Sequence, residues 1–180
     1  MRLMSRMRIH LLMRTRCHGV MDTTLMRTVT LATALGTGVL GGVFVGFSTF
    51  VMPALDRLAA GDAVRAMQAI NVTAPRGLAV PLAVSGLGSL AVGGWALARS
   101  SGSARALLVA GALSGVVALG VTAAYHVPRN DALGRVDAGS TAAATAWQGY
   151  APGWVAMNHV RAALSLASAG LLVAGVVKGG

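Results

Sequence analysis

The stretch that decides the fold is VTLATALGTGVLGGVFVGFSTFV, residues 29–51, which contains no charged side chain. An α-helix needs about 20 apolar residues to cross about 30 Å of hydrocarbon, so this run is long enough to span a membrane. Backbone polar groups must pair within the chain when lipid surrounds them, and a helix lets one segment satisfy its own groups. The stretch therefore predicts a transmembrane helix.

Three more apolar runs of similar length follow, at residues 78–98, 106–125 and 154–177. The second and third runs are joined by a short Ser- and Gly-containing turn, which makes them antiparallel neighbours. We therefore predict an all-α fold: a four-transmembrane-helix bundle with a short interfacial helix between spans 1 and 2. A longer, partly helical loop is predicted between spans 3 and 4.

The two longer connections lie on the same predicted membrane face. In the first, residues 56–71 form a helical pattern with Val64 and Met67 on one stripe, which is typical of a helix lying along the interface. In the second, residues 141–150 are compatible with a separate surface helix. We expect Pro128 to stop the third span and Pro152 to set the start of the fourth, because proline lacks the backbone N–H.

Composition argues against a water-soluble domain. The chain is 55% hydrophobic and 11% charged, whereas soluble domains carry about 25% charged residues. The net charge of +10 comes from basic residues scattered without interleaved aromatic side chains, so nucleic acid is excluded as a partner and the lipid bilayer is expected. The single Cys17 cannot form a disulfide within the chain.

Residues 1–27 form a basic leader, which we predict to be disordered, while residues 28–180 form a single membrane domain. No cleavage site follows a short apolar segment, so a cleaved signal peptide is rejected. The leader is either a basic tail on the membrane surface or a segment upstream of a translation start at Met21 or Met26. Nine basic residues on the side of the termini, against six opposite, favour cytoplasmic termini; a start at Met26 removes this preference.

Glycines at helical spacing predict where the spans approach each other. The first span carries Gly38, Gly42 and Gly46, and the third carries Gly111 and Gly115. Small residues at this spacing let membrane helices pack closely, within a bundle or in a homo-oligomer. The alternative is that such spacings arise by chance in a chain with 24 glycines.

Polar side chains gather at one predicted end of the bundle. The third span finishes with His126, and the fourth carries Asn158 and Arg161 on one face, with His159 on its flank. A guanidinium about 10 Å into a span is costly unless it snorkels outward, pairs with an acid or meets an anion. The first two alternatives predict a structural Arg161; the third predicts a cation that holds a phenolate, enolate or carboxylate. Asn158 either ties helices together or donates to a substrate oxygen.

The two histidines and three nearby aromatic residues each allow two interpretations. His126 and His159 are hydrogen-bonded interfacial residues or general bases, and a metal pair lacks a third ligand at a diagnostic spacing. Trp147, Tyr150 and Trp154 form an aromatic belt at the headgroup level or a lid over a flat ligand. No nucleotide, haem or zinc-protease motif is present, so we predict neither a cofactor nor a metal. The mid-membrane segments also lack the acidic residues and repeats typical of transporters.

Several motifs in order carry a resemblance to a known family over residues 29–177. They are FSTFVMPAL at residues 47–55, MQAIN at residues 67–71, VPRNDAL at residues 127–133, and Trp147, Trp154, Asn158-His159 and Arg161. With these motifs the chain resembles the anthrone oxygenase-like family of small four-span membrane proteins, most of whose bacterial members are uncharacterised. The resemblance implies a four-helix fold in the cell membrane.

In the characterised fungal and polyketide-pathway relatives, the resemblance implies oxidation of an anthrone to an anthraquinone by O₂ without a dedicated cofactor. The positions of Asn71, Asn130, Asn158 and Arg161 match the family pattern. A base, His159 or His126, would remove an acidic methylene proton. Meanwhile the oxyanion would be held by Arg161, Asn158 and Asn130. The substrate would be an apolar aromatic molecule that enters from the bilayer.

The alternative is a non-enzymatic membrane scaffold or assembly protein. An enzyme predicts a cavity bounded by His126, Asn158 and Arg161 and reached from the lipid. A scaffold predicts that these groups are tied to one another with no space between them.

Overall fold

The computed structural model describes the backbone of residues 2–179 and the side chains of residues 23–179. Helices joined by short connections make up this part of the chain, which contains no strand. The predicted leader falls mostly on residues 1–22, whose side chains lie outside the described part. Its disorder and the alternative starts at Met21 and Met26 therefore stay predictions.

Seven α-helices and two π-helical turns follow one another along the chain. In order they are α1 (Arg2–Gly46), the first π-turn (Phe47–Val51), α2 (Met52–Leu55), α3 (Ala60–Gly77), α4 (Ala79–Arg99), α5 (Gly102–Val121), the second π-turn (Thr122–His126), α6 (Val127–Gly134) and α7 (Ala142–Lys178).

Four helical stretches are long and apolar enough to cross a membrane. They are span 1 (Thr23–Leu55), span 2 (Ala79–Arg99), span 3 (Gly102–Gly134) and span 4 (Ala142–Lys178). The predicted all-α, four-span bundle is confirmed, and the chain is a membrane protein.

The four spans form a closed arrangement in which neighbours are antiparallel. Both α4 and α7 pack against α1 and against α5. Only Ser100 and Ser101 separate α4 from α5, and the next residue, Gly102, has a φ of +58°, a backbone conformation that glycine adopts without strain. Residues 23 and 179 therefore lie at one end of the bundle, which we call the terminal end; the opposite end is the cavity end. Which end faces the cytoplasm stays a prediction.

The prediction that Pro128 stops the third span is wrong, because the second π-turn carries the helix through the proline. In this turn the Val127 N–H donates to the Thr122 carbonyl, five residues back. The wider turn relieves the clash between a proline ring and the carbonyl four residues earlier. Span 1 uses the same device before Pro53, where the Met52 N–H donates to the Phe47 carbonyl.

The predicted start of the fourth span at Pro152 is also wrong. One helix runs from Ala142 to Lys178, and Pro152 lies inside it. Pro152 is exposed, so its missing hydrogen bond falls on the outer side of the helix, where the backbone can bend. Trp147 and Trp154, on either side of the proline, belong to one buried apolar cluster that holds the helix together. The separate surface helix predicted at residues 141–150 is the first part of this span.

The connection between spans 1 and 2 is a helix, α3, longer than the one predicted at residues 56–71. Its predicted stripe is buried: Val64 and Met67 are inaccessible to solvent. The Gln68 amide donates hydrogen bonds of 2.9 Å to the carbonyls of Leu133, at the end of α6, and of Val136, just after it. These contacts fix α3 across the cavity end of the bundle.

The glycine prediction is confirmed in span 3, whereas in span 1 it holds at Gly38, where a Cβ would lie 3.7 Å from the Ala169 Cβ, and is wrong at Gly42. A Cβ atom at Gly111 would lie 2.9 Å from the Leu172 Cγ, so α5 and α7 approach closely there. A Cβ at Gly42 would meet nothing within 4 Å, whereas one at Gly41 would lie 2.8 Å from the Leu166 Cγ. The close approach in span 1 is thus one residue away from the predicted stripe. A homo-oligomer through these glycines stays a prediction.

We expect Gly111→Ala to destabilise the bundle by about 1–3 kcal/mol, because the methyl group overpacks the contact with Leu172, and the Leu171 Cβ, 3.1 Å away, cannot swing aside. Gly42→Ala is the matched control, since the same methyl group meets open space there. Thermal unfolding in detergent measures both. Equal unfolding temperatures for the two variants would contradict the close approach.

Candidate functional site

A cavity of about 190 Å³ lies at the cavity end, between span 1, α3, α4, the second π-turn and span 4. Apolar side chains form much of its wall, among them Val43, Phe44, Leu78 and Leu82. Polar side chains converge on it from different elements: Asn71, His126, Asn130 and Arg161. An apolar cavity with a few converging polar groups is the usual form of a small-molecule site.

Arg161 is the charged group of the cavity and is only 8% exposed. Its Nε donates to the Asn158 Oδ1 at 2.7 Å, and its Nη1 donates to the Thr122 Oγ1 at 3.4 Å. The guanidinium lies 3.9 Å from the centre of the Phe44 ring and 5.3 Å from that of Trp154. The cation is thus held by neutral hydrogen-bond acceptors and by aromatic faces.

No acid of residues 23–179 forms an ion pair with Arg161. Asp56 accepts a hydrogen bond from the Trp147 indole, and Asp131 is exposed. The burial of Arg161 also rules out snorkelling to the surface. Both structural alternatives considered for this residue are therefore absent from the described part of the chain, which leaves a buried charge without a counter-ion.

Asn158 fixes the guanidinium from one side and ties two spans together from the other. It is fully buried, and its Nδ2 donates hydrogen bonds of 2.6 Å to the Phe44 carbonyl and to the Ser48 Oγ. Its Oδ1 is then oriented toward Arg161. Asn158 is not among the residues that line the cavity, so its contact with the site runs through Arg161.

Two buried polar atoms on the cavity wall, the His126 Nε2 and the Asn71 Nδ2, make no hydrogen bond of normal length and angle in the described part of the chain. Weaker polar contacts join His126 to the Trp154 backbone and Asn71 to the Tyr150 side chain. His126 is 1% exposed; its Nδ1 lies 3.4 Å from the Val121 carbonyl, and its ring packs edge-on to Trp154 at 5.2 Å between centroids. Buried polar groups are normally satisfied, so an unpaired nitrogen on a cavity wall is a place where a ligand can bond.

Asn130 organises the aromatic side of the site. Its Oδ1 accepts a hydrogen bond of 2.8 Å from the Tyr150 hydroxyl and one of 3.0 Å from the Trp154 Nε1. Asn130 and Trp154 line the cavity, while Tyr150 lies one hydrogen bond behind them. The three side chains stiffen the wall that faces Arg161.

A model of the anthrone oxygenase family matches residues 75–171, which is more than half of the 180 residues. The chain belongs to the anthrone oxygenase family. Neither a curated protein nor a solved structure matches it. In this family member the matched segment includes His126, Asn130 and Arg161, whereas Phe44 and Asn71 lie before it.

Two predicted site residues of this anthrone oxygenase family member lie away from the cavity. His159 is exposed on the outer face of span 4 and is not a lining residue. It follows Asn158 directly, and one residue turns a helix by about 100°, so the two side chains cannot face the same space. Trp147 is buried, but its indole bonds to Asp56 and lines a neighbouring groove. No group of three or more His, Cys, Asp or Glu in residues 23–179 is placed to hold a metal ion.

Two side chains contact the Arg161 guanidinium although they were not predicted as site residues from the sequence. They are Phe44 and Thr122. Thr122 lies four residues before His126 and so shares its helix face, which is a usable signal. Phe44 lacks such a signal, because its contact with Arg161 depends on how spans 1 and 4 are rotated against each other.

Proposed function

We propose that the chain oxidises an anthrone-like or other hydroquinone-like aromatic molecule with O₂. The observation that carries this proposal is the buried Arg161 guanidinium, which lines an apolar cavity and lacks a counter-ion among the described residues. An oxyanion formed on a flat, apolar substrate supplies the missing negative charge. A preorganised cation in a water-poor site stabilises such an anion far better than water does.

The side chains around the cavity have two roles in this proposal: one acts as the base, and the others bind the oxyanion. His126, in its neutral form, offers its Nε2, which makes no hydrogen bond of normal geometry among the described residues, to a substrate C–H and removes the proton. Loss of a methylene proton from an anthrone leaves an aromatic phenolate, whose oxygen binds Arg161. Asn71 offers a second donor through its Nδ2, which makes no hydrogen bond of normal geometry among the described residues. Asn158 acts as a positioning residue, since it holds the Arg161 Nε.

The reaction needs no further oxidant or reductant. The electron-rich anion reduces O₂, and the methylene carbon loses two hydrogen atoms and gains a double-bonded oxygen. The substrate gives up four electrons; one oxygen atom of O₂ enters the quinone and the other leaves as water. Anthrone plus O₂ thus balances anthraquinone plus water.

The substrate reaches the cavity from the bilayer in this proposal. Part of the wall is formed by exposed or half-buried apolar side chains, including Pro75, Leu78 and Val127. A flat aromatic molecule and O₂ both dissolve in hydrocarbon. The observed volume of about 190 Å³ lies below that of a typical ligand pocket, so the walls must part as a three-ring substrate enters.

We expect Ala74→Phe to lower the turnover of an anthrone by about tenfold or more, because the added ring occupies the cavity next to α3 and displaces the substrate. Ala79→Phe is the matched control, since Ala79 is exposed and does not line the cavity. Steady-state O₂ uptake measures both. Equal activity in the two variants would place the reaction elsewhere.

The proposed activity itself is tested with the purified chain in detergent or nanodiscs. We expect O₂ consumption and anthraquinone formation in a one-to-one ratio, both above the uncatalysed oxidation of the same anthrone. A panel of hydroquinones defines the substrate class. A rate equal to the uncatalysed background for every compound would reject the oxygenase proposal and favour the scaffold alternative.

A further inference from the structure

A second cavity, which we call the terminal cavity, lies at the terminal end of the bundle and has a volume of about 480 Å³. It is formed where spans 2 and 4 end and span 3 begins, beside residues 23–30 of α1, and the ends of these three spans place it near the headgroup level of a membrane. None of its lining residues belongs to the candidate oxygenase site.

The charged side chains that line the terminal cavity are all cationic. They are Arg27, Arg99 and Lys178. Arg99 also interacts within the chain, so Arg27 and Lys178 are the cations that a ligand would use. Each comes from a different span, so the bundle must fold before the three charges meet. Basic residues near a membrane surface attract anionic headgroups.

Hydrogen-bond donors also converge on the terminal cavity. The Trp95 Nε1 is buried and has no partner in the described part of the chain, and Trp95 lines the cavity. Helix α5 begins beside it at Gly102, and its N-cap residue, Ser101, makes no side-chain capping bond. The first N–H groups of a helix have no partner within the helix, and they favour an anion.

We propose that the terminal cavity binds the phosphate group of an anionic phospholipid. Cations and neutral donors together match the charge and the several acceptor oxygens of a phosphate diester. A lipid rather than a free phosphate is the occupant, because Met26, Leu108 and Val176 add apolar surface beside the cations. The headgroup lies between the ends of the spans while its acyl chains follow their outer surface. This site does not depend on the oxygenase activity.

The site is tested by titrating the full chain, in a neutral detergent, with short-chain phosphatidylglycerol, with phosphatidylcholine and with inorganic phosphate. Native mass spectrometry counts the bound lipid. We expect one phosphatidylglycerol to bind more tightly than phosphatidylcholine, and millimolar phosphate not to displace it. Equal binding of the two lipids, or displacement by phosphate alone, would overturn the proposal even without any variant.

Three variants locate the bound lipid. Lys178→Gln is expected to weaken phosphatidylglycerol binding about fivefold. Trp95→Phe, which keeps an aromatic ring and removes the N–H, is expected to weaken it about tenfold. Arg57→Gln removes an exposed charge from the cavity end and serves as the control, with unchanged binding. A loss in Arg57→Gln equal to that in Lys178→Gln, or wild-type binding by Trp95→Phe, would contradict the assignment.

Discussion

Arg161→Met is expected to lower the kcat/KM for an anthrone by about 10²–10³-fold, which is the usual cost of removing one oxyanion-stabilising group. The folded bundle should keep its stability to within about 3 kcal/mol, because methionine fills a similar space without a buried charge but leaves the buried Asn158 Oδ1 without its donor. The hydrogen bonds lost are those to Asn158 and Thr122. O₂ uptake measures the first effect, and thermal unfolding in detergent measures the second.

The two measurements together separate an enzyme from a scaffold. Arg129→Gln is the control, since Arg129 is also a cation next to an aromatic ring, 4.7 Å from the centroid of Tyr125, but does not line the cavity. We expect it to retain activity. An Arg161→Met protein that keeps its activity would refute the role of the guanidinium, and one that loses both fold and activity would favour a structural role.

His126→Asn is expected to reduce the rate of anthrone oxidation by about 10²–10⁴-fold, the contribution of a positioned general base. The variant removes the Nε2, the proposed proton acceptor, and keeps a polar side chain of smaller size. The effect should appear mainly in kcat. Binding of a non-reactive anthraquinone should change little, because the contact with Arg161 remains.

His159→Asn supplies a matched control on the same chemistry. His159 is exposed and lies outside the cavity wall, so we expect this variant to match the wild type. Progress curves of anthraquinone formation for the two variants, at equal protein concentration, make the comparison. Loss of activity in His159→Asn with full activity in His126→Asn would reverse the assignment of the base.

The spans could be predicted from the sequence because the cost of exposing polar groups to lipid acts on each segment separately. The run at residues 29–51 can be predicted as a helix without knowing which other helices pack against it. That α4 and α5 are antiparallel neighbours could also be predicted, because only Ser100 and Ser101 connect them.

The ends of the spans were harder to predict, because the effect of a proline on a helix depends on the turn before it and on the side chains packed around it. The clash at Pro128 is avoided by a π-turn, and the break at Pro152 is bridged by the packing of Trp147 and Trp154. Both outcomes depend on contacts with other helices, which local propensity does not contain.

In the candidate site, too, contacts within one helix could be predicted from the sequence, whereas contacts between helices could not. The pairing of Asn158 with Arg161 follows from their three-residue spacing on one helix, and Thr122 shares a face with His126. The contact of Phe44 with Arg161 and the position of Asn71 on the cavity wall require the rotation and tilt of separate helices. These are set by close approaches such as that of Gly41 to Leu166, which hydropathy does not reveal.

The two π-turns determine the direction in which the side chains that follow them point. Each accommodates one residue more than a regular turn, so every side chain beyond it is displaced around the helix axis by about 100°. Asn130 follows the second π-turn, and with this rotation its side chain faces Trp154. Deleting one residue from residues 122–126 would therefore restore a regular turn and leave Asn130 facing Trp154, whereas straightening the turn without a deletion would rotate the amide away from Trp154.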